Sequence, residues 1–67
     1  MTNSLKLKGR IIEKGYTITT LSKEIGISYT SLSYKINNKR EFNQREITSI
    51  CNVLDIKDSE RSSYFFV

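Results

Sequence analysis

The side chains best able to form specific contacts in this sequence are hydroxyls, phenol rings and amides, concentrated between Leu21 and Arg40. This stretch reads LSKEIGISYTSLSYKINNKR. Its second half is rich in Ser, Thr, Tyr and Asn and poor in the Glu and Lys that a solvent-facing helix usually carries. Hydroxyl and amide groups donate and accept hydrogen bonds, and phenol rings add flat apolar surface. The pattern therefore favours a binding surface.

Catalytic and metal-binding residue types are scarce. The sequence has no His, so the usual general base and the commonest metal ligand are missing. Cys51 is the single cysteine, which excludes an intrachain disulfide and a cysteine zinc site, and we expect it to be a small buried hydrophobe. There is no nucleophile–base pair and no phosphate-cradling glycine loop. We therefore expect neither an enzyme nor a cofactor.

The charge is unevenly distributed along the chain. Residues 1–40 contain eight Lys or Arg and two Glu, a net charge of +6, whereas residues 41–67 contain three Lys or Arg and five acids, a net charge of −2. Such asymmetry indicates a face for an anionic partner, the alternative being a solvated surface with a chance bias.

The length and hydropathy of the chain limit the number of domains and the possible contact with a membrane. A chain of 67 residues forms one domain at most, so we predict a single domain over 1–67. The N-terminus has no apolar signal core, and no run is long enough to span a bilayer. We therefore expect a cytoplasmic protein without membrane contact.

Helical periodicity predicts an all-α fold of four to five helices. The first is expected to begin after its N-cap Ser4 and to stop at Gly15. Its predicted apolar stripe comprises Leu5, Leu7, Ile11 and Ile12. A second helix is predicted over 18–25, capped by Thr17 and ended by Gly26 in the left-handed conformation. A strand over YTITT is the weaker alternative, because it leaves the later apolar residues without a matching period.

Three further helices are predicted. The third runs from Tyr29 to about Asn37, is capped by Ser28, and has the apolar residues Leu32 and Ile36. The fourth starts after an Asn43–Glu46 capping box and runs to about Leu54, with Ile47, Ile50, Cys51 and Leu54 on one face. A fifth short helix starts at Asp58. The apolar tail YFFV is expected to close the core or form a homodimer seam, and a site for another partner is the alternative.

Two short helices joined by a glycine-containing turn form a helix-turn-helix pattern. Ser22 is small enough for a close helix crossing, and Gly26 suits the turn. The solvent-facing residues of the third helix are then Tyr29, Thr30, Ser33 and Tyr34. These residue types present hydrogen-bond donors, acceptors and flat surface. A helix needs such groups to contact base edges in a major groove. The alternative is a polar surface with both tyrosines packed sideways.

The pattern L-S-x-x-I-G-I-S-x-x-x-L-S-x-x-I, followed by KINNKREF and EITSICNVLDI, resembles the core of the Cro/CI-type (XRE-like) repressors. It is most similar to small phage regulators of Gram-positive hosts, over about Leu5 to Phe66. The sequence departs from the family at Ser22, where Ala is commoner, and at Tyr34, where a longer polar base-reader is common. The resemblance implies a compact lambda-repressor-like DNA-binding domain.

By position, the resemblance implies two groups of DNA contacts. The residues expected to reach base edges are Tyr29, Thr30, Ser33 and Tyr34. The residues expected to bind phosphates are Thr19, Ser28, Lys35, Asn38, Lys39 and Arg40.

The resemblance also implies a function. We expect a sequence-specific transcriptional regulator of double-stranded operator DNA: a Cro-like repressor in the lysis/lysogeny switch of a phage, acting at the nucleoid of a bacterial cell. A homodimer is also expected. The alternative is an antirepressor that binds a CI-type phage repressor and changes its DNA binding.

Overall fold

Five α-helices, connected by short turns and one longer loop, make up the secondary structure. The computed structural model describes residues 1–67 and contains no β-strand. The helices are α1 (Ser4–Glu13), α2 (Ile18–Ile25), α3 (Tyr29–Ile36), α4 (Gln44–Val53) and α5 (Asp58–Phe65). The all-α prediction is confirmed, and the strand alternative for YTITT is wrong because α2 begins inside it.

Local capping explains most helix boundaries. Thr17 and Asn43 each accept a hydrogen bond from the backbone N–H three residues later, and each begins a complete capping box. Gly15 and Gly26 adopt the left-handed conformation, with φ of 81° and 78°, which ends α1 and α2 at little cost because glycine has no Cβ. These boundaries agree with the predicted ones.

The start of α1 differs from the prediction. Asn3 is the N-cap and accepts a hydrogen bond from the Lys6 N–H at 3.2 Å, so Ser4 is the first helical residue. The Ser4 hydroxyl instead donates to the Ile36 carbonyl at 2.5 Å. Ser4 therefore ties α1 to the end of α3, a tertiary contact that local cap preferences do not reveal.

A cluster of twelve buried residues forms the core. Its members are Leu7, Ile11, Leu21, Leu32, Ile36, Ile47, Ile50, Cys51, Leu54, Ile56, Tyr64 and Phe65. The predicted face of α4 is fully represented in this set. Phe65 also packs edge-on against Phe42, with ring centroids 5.4 Å apart. The apolar tail thus closes the core through its first two residues, whereas Phe66 and Val67 are exposed.

The predicted apolar stripe of α1 is wrong for two of its four residues. Leu7 and Ile11 are buried, but Leu5 is 84% exposed and Ile12 is 74% exposed. Leu7 and Ile11, four residues apart, share the face that meets the core, whereas Leu5 and Ile12, seven residues apart, share a second face that points away from it. The helix is therefore apolar on two sides, and only one of them packs against the rest of the chain.

The two chain ends are held together. The Asn3 N–H donates to the Tyr64 carbonyl at 2.8 Å, and the Val67 N–H donates to the Met1 carbonyl at 3.0 Å.

None of the helices combines the length and the apolar character that crossing a bilayer requires.

Candidate nucleic-acid interface

The turn between α2 and α3 positions the candidate surface. The N–H groups of Gly26 and Ile27 both donate to the Ser22 carbonyl, at 2.9 and 3.1 Å. The Ser22 side chain is buried, and its hydroxyl donates to the Thr19 carbonyl at 2.7 Å. Ser22 is thus small, buried and internally satisfied, and α2 and α3 pack against each other.

The outer face of α3 points into solvent. Leu32 and Ile36 are completely buried, which fixes the rotation of the helix about its axis. Tyr29 is then 53% exposed and Tyr34 is 42% exposed, and Thr30 is exposed as well. Both rings are therefore accessible to solvent. The remaining predicted base-reader, Ser33, is half-buried at the edge of this face.

Two basic side chains flank the ring of Tyr34. The Lys39 Nζ atom and the Arg40 Cζ atom each lie 5.6 Å from the ring centroid, within the range of a cation–π contact. The Lys39 N–H also donates to the Tyr34 carbonyl at 2.8 Å. Neither basic group forms an ion pair within the chain. Positive charge is thus held at the end of α3 without being neutralised.

Lys35 has a different place from the one predicted. Its Nζ atom lies 2.5 Å from Oε2 of Glu46, and the two side chains are only 15% and 10% exposed. Burial raises the pKa of Glu46, but the hydrogen bonds from Lys35 and from the Asn43 N–H outweigh it, so the net pKa lies below its ordinary value. The ammonium of Lys35 therefore links α3 to α4 and is not presented to a phosphate.

Asn38 is also committed within the fold. Its Oδ1 atom accepts from the Thr2 N–H at 2.8 Å, and its Nδ2 atom donates to the Thr2 carbonyl at 2.9 Å. Its backbone is left-handed, with φ of 63°, which Asn tolerates better than most residues. Asn38 thus binds the N-terminal segment to the end of α3, and both polar atoms of its side-chain amide are engaged in hydrogen bonds to Thr2. The prediction that it binds phosphate is not retained.

The other two predicted phosphate contacts lie at helix starts. Thr19 is exposed in the first turn of α2, and Ser28 is the exposed N-cap of α3. The Ser28 hydroxyl oxygen accepts from the Ser31 N–H at 3.1 Å, which leaves its own proton available for donation. Both positions combine a hydroxyl with the positive end of a helix dipole.

Arg45 is a basic residue that the sequence reasoning did not assign to the site. It is exposed in the first turn of α4 and lines a shallow groove with Gly26, Ile27 and Asn43 beside the α2–α3 turn. Its position was the signal available in the sequence. A basic residue in the first turn of a helix opposes the helix dipole and so does not serve the stability of that helix.

No group of three His, Cys, Asp or Glu residues is arranged to hold a metal ion. Cys51 is buried, as expected, and burial raises the pKa of its thiol.

Comparison with known proteins adds one classification. Residues 3–67 match the family described as "Protein of unknown function (DUF739)". No curated protein matches the sequence.

Proposed function

The chain belongs to the DUF739 family, and because the description of that family states no function, we propose one from the geometry: sequence-specific binding of double-stranded DNA by a transcriptional regulator. The observation that carries the proposal is the outer face of α3. Its exposed hydroxyls and rings end beside Lys39 and Arg40, two basic groups that no carboxylate neutralises.

In the proposed complex, α3 lies in the major groove. Thr30 and Ser33 hydrogen-bond to base edges, while the rings of Tyr29 and Tyr34 contact thymine methyl groups or the sugar–phosphate backbone. An uncharged face suits the reading of a base sequence. Acidic side chains are repelled by phosphate, and long basic side chains bind phosphate whatever the sequence.

Phosphate contacts come from both sides of the recognition helix. Lys39 and Arg40 follow its C-terminal end, and Thr19 and Ser28 lie at helix N-termini. With Lys35 and Asn38 committed inside the fold, the charged contacts of this set are Lys39 and Arg40, which neutralise about two phosphates per subunit. The logarithm of the binding constant should then fall with the logarithm of salt concentration with a slope of about −2 per subunit.

The resemblance to Cro/CI-type repressors supports a more specific role, a Cro-like repressor in a phage lysis/lysogeny switch. In that role the protein acts at the nucleoid in the cytoplasm of the bacterial host, and two copies read the halves of a palindromic operator.

The decisive experiment is selection of bound sequences from random DNA duplexes with the purified chain, followed by gel shifts on the selected sites. Recovery of a consensus, bound at least about a hundredfold more tightly than random duplex at the same salt concentration, supports the proposal. Recovery of no consensus, with binding indifferent to salt, refutes it.

A second candidate function is that of an antirepressor that binds a CI-type phage repressor. It is favoured by the exposed Phe66 and Val67, which lie in the acidic part of the chain, residues 41–67. Under this alternative the pure protein gives no gel shift on its own promoter region, but it removes or alters the shift produced by the repressor. Selection of a duplex consensus by the chain alone favours the first function.

A further inference from the structure

The outer face of α1 carries apolar side chains that the fold leaves uncovered. Leu5 and Ile12 lie two helical turns apart on the face opposite the core, and Gly9 lies between them. Neither side chain belongs to the core or packs against it. We infer that this face, here called the α1 stripe, binds the α1 stripe of a second copy of the chain in an antiparallel, twofold arrangement. The inference does not rest on DNA binding.

Gly9 supplies the first argument for close approach by another helix. Glycine in a helix interior lowers helix stability relative to alanine, so its presence calls for a reason. The fold does not supply one: a Cβ atom at Gly9 would meet nothing within 4 Å, and its φ is not positive. A glycine at the middle of α1, on its solvent side, instead lets a second backbone come near.

The shape of the surface supplies the second argument. Beside Ile12 lies a shallow, mostly apolar groove of about 310 Å³, lined also by Lys8, Ile11, Tyr16, Thr17 and Ile18. In an antiparallel pair centred near Gly9, residue 5 of one copy lies opposite residue 12 of the other. Leu5 of each copy thus enters the groove of its partner, and the contact is self-complementary, as a twofold interface must be.

Charge supplies the third argument. Lys6 and Glu13 lie on the same flank of the α1 stripe, near opposite ends of the helix. In the antiparallel pair, Lys6 of one copy comes within about 3 Å, along the helix axis, of Glu13 of the other, by the 1.5 Å rise per residue. Within one copy the Lys6 ammonium donates to the Ser63 hydroxyl at 2.7 Å, and in the pair it exchanges this exposed hydrogen bond for the carboxylate. The Glu13 side chain is 64% exposed and accepts from Arg10 on one side only, so it can accept a second donor.

The other flank does not oppose the pairing. The ammonium of Lys8 is directed back towards its own copy, where it donates to Oδ1 of Asn37 at 3.0 Å. The two Lys8 side chains near the twofold axis are therefore held away from each other. Since the apolar area is small, the dimer is expected to be weak, with a dissociation constant of about 10 µM to 1 mM.

Sedimentation equilibrium without DNA tests the inference. The wild-type chain should show a monomer–dimer equilibrium between about 10 µM and 1 mM, and an Ile12→Glu variant should raise the dissociation constant by at least about tenfold, since it places a charge in the contact. Phe66→Glu, which changes another exposed apolar residue, is the matched control and should leave association unchanged. A wild-type chain that is monomeric throughout, or a dimer lost in Phe66→Glu but kept in Ile12→Glu, overturns the inference.

A charge exchange tests the register. Lys6→Glu and Glu13→Lys should each weaken the dimer, because each brings like charges together, and the double variant should recover most of the association. Recovery is not expected if the residues act only within one chain, where Lys6 contacts Ser63 and Glu13 contacts Arg10. Failure of the double variant to recover, with helicity intact by circular dichroism, refutes the antiparallel pairing. Binding of a single DNA half-site should be unaffected, which separates this outcome from failure of the proposed function.

Discussion

α1 and α3 are built alike on their inner faces and differently on their outer ones. Each buries an apolar pair spaced by four residues, Leu7 with Ile11 and Leu32 with Ile36. The outer face of α3 is hydroxyl-rich and lies beside unpaired positive charge, whereas the outer face of α1 is apolar around a glycine. Because the inner pairs supply the packing, the chemistry of each outer face is free to specify a partner, and we propose a nucleic acid for α3 and another copy for α1.

The largest effect is expected from breaking an inner face. Ile36→Asp places an unpaired charge in the core, at a cost comparable to the whole stability of a 67-residue domain, about 3–10 kcal/mol. Circular dichroism should show loss of helicity at 25 °C, and the cooperative transition on heating should disappear. Tyr29→Asp, on the outer face of the same helix, is the control and should keep the wild-type spectrum. A wild-type melting curve for Ile36→Asp would show that the two faces do not differ as proposed.

The next effect separates the outer face of α3 from an ordinary exposed helix surface. Thr30→Glu should reduce affinity for the selected duplex about a hundredfold, roughly 2.7 kcal/mol, because a carboxylate is brought against base edges and phosphates. Thr48→Glu makes the same change at an exposed position of α4 and should leave affinity within a few-fold of wild type. Titrations at one fixed salt concentration measure both. Equal losses in the two variants would assign the effect to net charge alone.

The third effect concerns the attachment of α3 to α4. Glu46→Gln leaves the Lys35 ammonium unpaired in a largely buried position and should lower the free energy of unfolding by about 1–3 kcal/mol at pH 7, by urea denaturation. Glu41→Gln, at an exposed carboxylate without an ion pair, is the control and should change little.

The same pair predicts a pH dependence. The folded-state pKa of Glu46 lies below its ordinary value of 4.5, so the ionised carboxylate stabilises the fold above that value. This contribution is lost as the pH falls from about 4.5 through the lower folded-state pKa. The stability gap between wild type and Glu46→Gln should therefore narrow in that range. A gap that is the same at pH 7 and at pH 3 would contradict the role assigned to the pair.

The residues around Lys35 also show which features a single sequence reveals. The helix starts at Thr17, Ser28 and Asn43 were predictable because a cap acts on a backbone group three residues away. The bonds from Lys35 to Glu46 and from Asn38 to Thr2 join residues 11 and 36 positions apart. No local period encodes such pairings, so the resemblance to Cro/CI-type repressors assigned both residues to phosphate by position.

The α1 stripe illustrates the same limit for apolar residues. Leu5 and Ile12 fit a helical period as well as Leu7 and Ile11 do, so periodicity identifies two faces without saying which one meets the core. The choice is made by packing against the other helices. On α3 this ambiguity did not arise, because its only aliphatic residues are Leu32 and Ile36, and the exposure of Thr30 and Tyr34 followed from them.

The smallest effect tests whether the charge at the end of α3 contacts phosphate. Lys39→Gln and Arg40→Gln should each lower affinity only a few-fold, and equally for selected and random duplex, since phosphate contacts carry no base information. Each should also make the salt dependence shallower by about 0.9 in the log–log slope. Lys57→Gln removes the same charge from the start of α5 and should leave the slope unchanged. If Arg40→Gln altered the selected sequence instead, the base-contacting surface would extend beyond α3 into the following loop, and the ring of Tyr34 would serve to orient a base-reading guanidinium.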